Sequence, residues 1–457
     1  MTLVVSIALF GWIPLVLTLF MLVPPRRAVI ISFLFAWLFL PIAEFKLGEG
    51  IPVYSKMTAT CFGVLIGVLL FDPRKLRSFH FCWMDVPTTV WCICPLFSSL
   101  NNDLGIHDGV SAMMYQTVTW GMPYLIGRLY FTSLTDIGEL AFACFVGGLI
   151  YVPLCLFEIR MSPQLHTWIY GYYQHSFAQT FRYDGWRPTV FMQHGLMVGM
   201  WMCMTTLIGF WLCWTGASKQ IWRVPAWILV LTLGITAVLC KSTGAIGLML
   251  LGGMTLLITQ TLRVRIVLIA VIAAVPAYIV LRTAGVWSGA NLVSLTAESI
   301  GTERAQSLEF RMQNEDMLMA KALQQPMFGW GGWGRSRVYD RNGRDLSITD
   351  GLWIIALGCY GILGLCSLIV SLLLPVILVT WLIPLRQWTE PSVAPLVVLA
   401  TVIALYAIDC IPNGMVNPTF MLVSGAVIGN VIGLQGKNLS LMFTEYKAKS
   451  QLEIGIA

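Results

Sequence analysis

Charge is what this chain has least of. Asp, Glu, Lys and Arg together make up 11% of its 457 residues, and histidine occurs only five times. A soluble domain carries about a quarter charged residues, so a chain with a fully wetted surface is excluded. Runs of alternating apolar and polar residues are also missing, which excludes a transmembrane barrel built from strands of about ten residues. No Cys/His spacing matches a zinc site, and no metal or other cofactor is expected. The twelve cysteines fall in or beside apolar blocks. They read as small buried hydrophobes, not as a disulfide framework. No cleavable signal peptide is expected either, because the segment from Leu3 to Val23 is too long for a typical signal core and lacks a basic flank. Nothing in the modest net charge of +6 calls for a nucleic-acid partner.

Apolar sequence is abundant instead, with 57% hydrophobic residues. Apolar blocks of roughly 16–25 residues recur, each long enough to cross about 30 Å of hydrocarbon as a helix. About thirteen candidate spans result, near 3–23, 28–43, 57–71, 86–100, 109–131, 135–157, 188–214, 224–240, 244–260, 266–282, 351–382, 394–411 and 414–434. Those at 28–43 and 86–100 are short enough to be re-entrant, so twelve is the alternative count. The expected fold is an all-α polytopic membrane protein with about 12–13 transmembrane helices and one large outer-face loop. Connections carrying Arg26-Arg27, Arg74-Lys75-Arg77, Lys219/Arg223, Arg263/Arg265 and Arg386 alternate with ones poor in Lys and Arg. The positive-inside rule places the basic set, with the tail 435–457, in the cytoplasm. The connection 158–187 and the long segment 283–349 then face outward. The chain divides into N-terminal helices (1–282), this long loop, and C-terminal helices (350–434).

The long segment has an order of its own. From Thr302 to about Gln324 the pattern fits an amphipathic helix stopped by Pro326. It places Arg304 and Arg311 on one face about two turns apart, with Leu308, Leu318 and Ala322 in the same stripe. A glycine-rich bend follows over 326–334, and then a β-hairpin about Asn342-Gly343. The hairpin returns the chain to the membrane at Asp350. Arginine's planar fork grips oxyanions, so Arg304 and Arg311 suit a phosphate-bearing substrate. Arg335, Arg337, Arg341 and Arg344, beside the hairpin turn, fit ordinary surface contacts with lipid headgroups.

The connection 158–187 is dense in Trp, Tyr and His, a mix that suits both an interfacial belt and sugar stacking. Arg187 and His194 are seven apart at the entry to the next span, a spacing that would let both line one helix face. Ionisable groups carried into a membrane helix are functional candidates, since an unpaired one is costly in lipid. Lys241, in the turn Lys241-Ser242-Thr243-Gly244, and Asp409, near the outer end of its span, are further candidates. Asp103 and Asp108 lie in a short outer loop, and Arg128 reads as an inner-face anchor.

Several of these motifs, in this order, resemble the signature of the O-antigen ligase and polymerase superfamily. The resemblance rests on Arg311, Pro326-x-x-Gly329-x-Gly331, and Asp350-Gly351 opening a helix that continues through Gly358-Cys359-Tyr360-Gly361-Ile362-Leu363-Gly364. Arg187-Pro188 with Phe191 and His194 is similar to the family's Arg-x-x-Gly-x-Phe element, and Lys241-Ser242-Thr243-Gly244 to its Ser-Arg-Gly turn. Membership implies a C-type membrane glycosyltransferase of the bacterial inner membrane. Its donor is a polyprenyl-diphosphate-linked glycan, used at the periplasmic or outer face together with a glycan acceptor and other polysaccharide-assembly proteins. Asp350 stands where the ligases carry histidine and Gly351 where they carry asparagine, which favours a polymerase over a ligase.

The residues themselves suit that chemistry. Arg187, Arg304, Arg311 and Lys241 can stabilise a diphosphate leaving group. Asp350 can serve as the base for the acceptor hydroxyl, with His194 in reserve, and the transfer is expected to be metal-independent. A secondary transporter or flippase is the alternative, which would place its charges near the bilayer midplane. A non-catalytic scaffold would leave the arginines unexplained.

Overall fold

The structure is a computed structural model. It describes residues 2–48, 50–299 and 301–435, without the side chains of Glu303 and Arg304, and the expected tail beyond 435 lies outside the described residues. Long apolar runs become helices because a helix satisfies its own backbone where no water can. Seven helices are long and apolar enough to cross a membrane, from Leu3–Leu22 through Pro418–Gln435. The only named strands among the described residues are the pair Gln220–Ile221 and Val224–Pro225. The all-α polytopic class holds.

The expected spans differ in length more than their hydropathy indicates. Lys56–Phe71 and Ala394–Asp409 have 16 residues and Ala226–Leu239 has 14, which at 1.5 Å per residue gives only about 21–24 Å. Ala394–Asp409 is buried along almost its whole length, so it serves as a core helix around which others pack. The span expected over 109–131 is divided into Ile106–Gln116, a π-helical turn Thr117–Gly121, and Met122–Tyr130. This last piece lies close against Pro418–Gln435. A Cβ at Gly425 would sit 1.9 Å from the Tyr124 carbonyl oxygen, and one at Gly127 2.1 Å from that of Leu422. Small residues are what allow helix backbones to approach so near.

Connections gather at two ends of the bundle. At one end Arg26 pairs with Asp136 and Glu139, and Arg128 is buried against Asp85 at 3.3 Å. Tyr130 donates to Asp72, and Arg265 to the Ile383 carbonyl. At the other end Thr2 meets the Tyr170 carbonyl and Lys241 meets the carbonyls of Arg182 and Tyr183. There too the Leu352 N–H donates to the Cys410 carbonyl. The basic connections named from the sequence therefore share one end, and the long segment occupies the other.

Within that segment the amphipathic helix forms over Thr302–Ala322. A second helix, Ala290–Ser299, precedes it; the sequence reading did not anticipate it. Arg282, 1% exposed, fixes the long helix to the bundle. It bonds the carbonyls of Ser288 and Met312 and pairs with Glu315 and Asp316. Tyr278 and Trp353 also donate to Glu315, at 2.6 and 3.2 Å. Burial raises the Glu315 carboxyl above its ordinary range.

The glycine-rich bend docks into a break in the Leu352–Leu382 helix, where Gly361 has φ 66° and ψ −163°. In an unbroken helix the Gly358 and Cys359 carbonyls would accept from the N–H groups of residues 362 and 363. Here they accept from Trp330 and Gly331, at 2.9 and 3.0 Å, while Ile362 donates to Pro326 at 2.7 Å. The expected hairpin is reduced to one bridge, Tyr339 with Asp345, around a turn where the Asp340 carboxylate accepts from the N–H groups of Asn342 and Arg344. Arg335, Arg337, Arg341 and Arg344 are exposed. Arg337 pairs with Asp345 at 2.7 Å, which holds that carboxyl below its usual range.

Candidate active site

At the end holding the long segment, one cavity of about 530 Å³ collects Arg182, Arg187, Lys241 and Arg311. Such a volume falls in the about 300–1,000 Å³ range of small-ligand sites. Asp409 is the carboxylate in the wall, and it accepts from Asn413 at 2.8 Å. Leu196, Leu248, Leu308, Ile408 and Ile411 add apolar lining, and Ser242, Thr243, Thr296, Ser307 and Asn413 polar lining, so the cavity is both cationic and apolar. Two helices also begin there, Gly195–Trp214 and Thr243–Leu262. Their first-turn N–H groups add partial positive charge to the same space.

Arg187 and His194 were expected on one helix face, and this is corrected. The helix begins at Gly195, so Arg187 stands in the non-helical approach and His194 is the cap. The cause is local. Glu158, wholly buried, accepts from the N–H groups of Thr189 and Val190 at 2.9 and 2.7 Å, and from Leu165 at 3.0 Å. It holds Val190 at φ +48°, a conformation that no helix contains. Arg187, 2% exposed, then runs across the helix start to Ser242 at 3.3 Å. The absence of a side chain at Gly195 makes room for it, since a Cβ there would lie 2.7 Å from Arg187 Cδ.

His194 accepts from the Leu196 N–H on Nδ1 at 3.0 Å, and its Nε2 lies 3.0 Å from Gln179 Oε1. With the neutral ring, Nε2 is the donor and neither nitrogen has a spare lone pair. Burial, followed by the charge of Arg187, pushes its pKa down to about 3. Lys241, at φ +53°, ties down the loop through the Arg182 and Tyr183 carbonyls at 2.9 and 2.8 Å, and one of its three N–H groups is left for the cavity.

Arg311 also lines a small neighbouring space with Asp350, and the two pair at 3.4 Å. Of the candidates, Arg187, Lys241 and Arg311 share the large cavity and Asp350 adjoins it through Arg311, whereas His194, the helix cap, lines a different cavity. Arg304 lies on the helix that carries Arg311, but its side chain lies outside the described residues. Arg182, Glu158 and Arg282 were missed. Glu158 and Arg282 carried the available signal of an ionisable residue inside or at the end of an apolar span. Among the described residues no three His, Cys, Asp or Glu side chains cluster as metal ligands.

Fold and site together define a polytopic helical protein of membrane type, with an amphiphilic, cation-lined cavity among its helix ends. No family model and no curated protein matches the chain.

Proposed function

We propose that the protein is a membrane glycosyltransferase that polymerises polyprenyl-diphosphate-linked oligosaccharide units at the outer face of the bacterial inner membrane. One observation carries this reading: four cationic side chains and two helix N-termini converge on a single cavity that also has apolar lining. A diphosphate bearing an isoprenoid chain has that combination of charge and grease.

In the transfer, the acceptor hydroxyl oxygen forms a bond to the anomeric carbon of the donor. The bond from that carbon to the diphosphate oxygen breaks, and the electron pair departs with the phosphate. Arg187, Arg311, Lys241 and Arg182 stabilise the charge developing there, in a site where fixed cations need no reorganisation. The hydroxyl proton passes to the Asp350 carboxylate, which Arg311 orients. His194, with both ring nitrogens engaged, acts as a helix cap in this scheme.

The test is polymerisation of a defined polyprenyl-diphosphate-linked oligosaccharide by purified protein, read as a ladder of products. Asp350→Asn should slow it by about 10²–10⁴-fold, the usual contribution of a positioned base, and full activity in that variant removes Asp350 from the role. Transbilayer movement of the donor without any product would favour a flippase instead.

A further inference from the structure

A second cavity, about 350 Å³, lies beside the first. Two thin segments separate them. His194 and Met197 line the second while Leu196 lines the first, and Gly414–Val416 line the second while Ile411–Asn413 line the first. Asp350 stands at this partition, because a Cβ at Gly414 would sit 3.0 Å from its carbonyl oxygen.

The two linings differ in chemistry. The first gathers four cations against one carboxylate, whereas the second sets one ammonium, Lys56, against one carboxylate, Glu44. Around these are the hydroxyls of Ser55, Tyr115 and Thr119, the His175 ring and the Gln193 amide, with Trp37 and Met57 among the apolar lining. Lys56 is 8% exposed. It donates to the Trp37 carbonyl at 3.2 Å and lies over that ring, which leaves two of its three donors for a ligand. Thr119 reaches the wall through the π-helical turn Thr117–Gly121, a helix irregularity often found at functional sites. Balanced charge, mixed donors and acceptors and an aromatic ring in the lining match a neutral, hydroxyl-rich ring.

We infer that this second cavity binds a neutral sugar unit, the acceptor end of the growing glycan. The acceptor role rests on the function proposed above, whereas sugar binding does not. At about 350 Å³ the space suits a short terminal unit. The partition brings that unit's hydroxyl toward the donor held in the cationic cavity, on the side where Asp350 stands.

The test uses the full chain in nanodiscs on an array of neutral and acidic oligosaccharides. Wild type should capture neutral glycans. Thr119→Phe, which fills the space, should abolish capture, and Glu44→Gln, at the exposed rim, should weaken it about three- to tenfold, the value of one hydrogen bond. Arg341→Ala, in the exposed turn, should leave capture intact. If Thr119→Phe does not fold, Glu44→Gln decides. The inference is overturned if no neutral glycan is captured, if acidic glycans are preferred, or if capture survives both substitutions. Capture that behaves as expected in a protein unable to transfer sugar would leave the sugar site standing and refute the glycosyltransferase reading.

Discussion

Glu158 shows how one buried side chain sets the geometry of the cationic cavity. Its two oxygens accept three backbone N–H groups and hold the approach to Arg187 out of helical form. Val190 at φ +48° is a β-branched residue in a region such residues avoid, so the carboxylate is what offsets that strain. Glu158→Gln keeps the shape but turns an NH₂ toward N–H donors, leaving at least one buried donor unsatisfied at about 1–3 kcal/mol. Thermal unfolding in detergent should show that loss, together with weaker donor binding. Unchanged melting would mean the loop holds itself. His194 gives a pH test. Its folded value of about 3 lies below the about 6.5 of an unfolded histidine. Its contribution is therefore present above about pH 6.5 and is lost as pH falls toward 3, at about 1.4 kcal/mol per pH unit. Wild type should lose more melting temperature between pH 7.5 and 5.5 than His194→Asn, whose side chain can still cap the helix. Equal losses would refute the buried neutral ring. The site was legible in part: residue type and an outer-end position pointed to Arg187, Lys241 and Arg311. The seven-residue spacing misled because a distant carboxylate, Glu158, decides where the helix starts, and no local pattern records that.

Helix breaks are where the elements depart most from their sequence pattern. The run from Leu352 to Leu382 is apolar almost throughout, and periodicity offers no reason to interrupt it at Gly361. The break exists because segment 326–331 supplies the hydrogen bonds that the helix gives up. Gly361 occupies a backbone region that costs other residues about 1–3 kcal/mol, and a Cβ there would lie 2.4 Å from the Met327 carbonyl. One at Gly329 would meet the Cys359 backbone at 2.5 Å. Gly361→Ala and Gly329→Ala should each release the bend, read as faster proteolysis within 301–349 and a lower melting temperature. The double variant should be little worse than either single, since both remove one joint. Gly343→Ala is the control: its φ of +77° is equally restrictive, but it faces open space, so its cost should stay local and the bend should remain docked. Full additivity of the first two would mean they act separately. By contrast the Thr302–Ala322 helix was readable, because its amphipathic stripe and the stop at Pro326 are both local signals.

At the scale of the whole molecule, the two ends of the bundle carry different chemistry. Arg26, Arg27, Arg74, Lys75, Arg77, Lys219, Arg223, Arg263, Arg265 and Arg386 belong to connections at one end, where several meet acidic partners or carbonyls. The cavities, the docked bend and the long segment share the other. This sorting was legible from Lys and Arg alone, because insertion reads local charge beside each span. The convergence of four cations in one cavity was not, because they come from three separate segments spread between Arg182 and Arg311. The proposed function needs the basic end in the cytoplasm, the orientation the positive-inside rule favours, with both cavities turned outward to a lipid-linked glycan. Single cysteines in a background with the native ones replaced make that testable: Asn342→Cys in the exposed turn and Ser78→Cys at the basic end. A membrane-impermeant maleimide should label the first in intact cells and the second only after lysis. The reverse pattern would turn the cavities toward the cytoplasm, and polymerisation at the outer face would then be untenable for this protein, whatever its cavities bind.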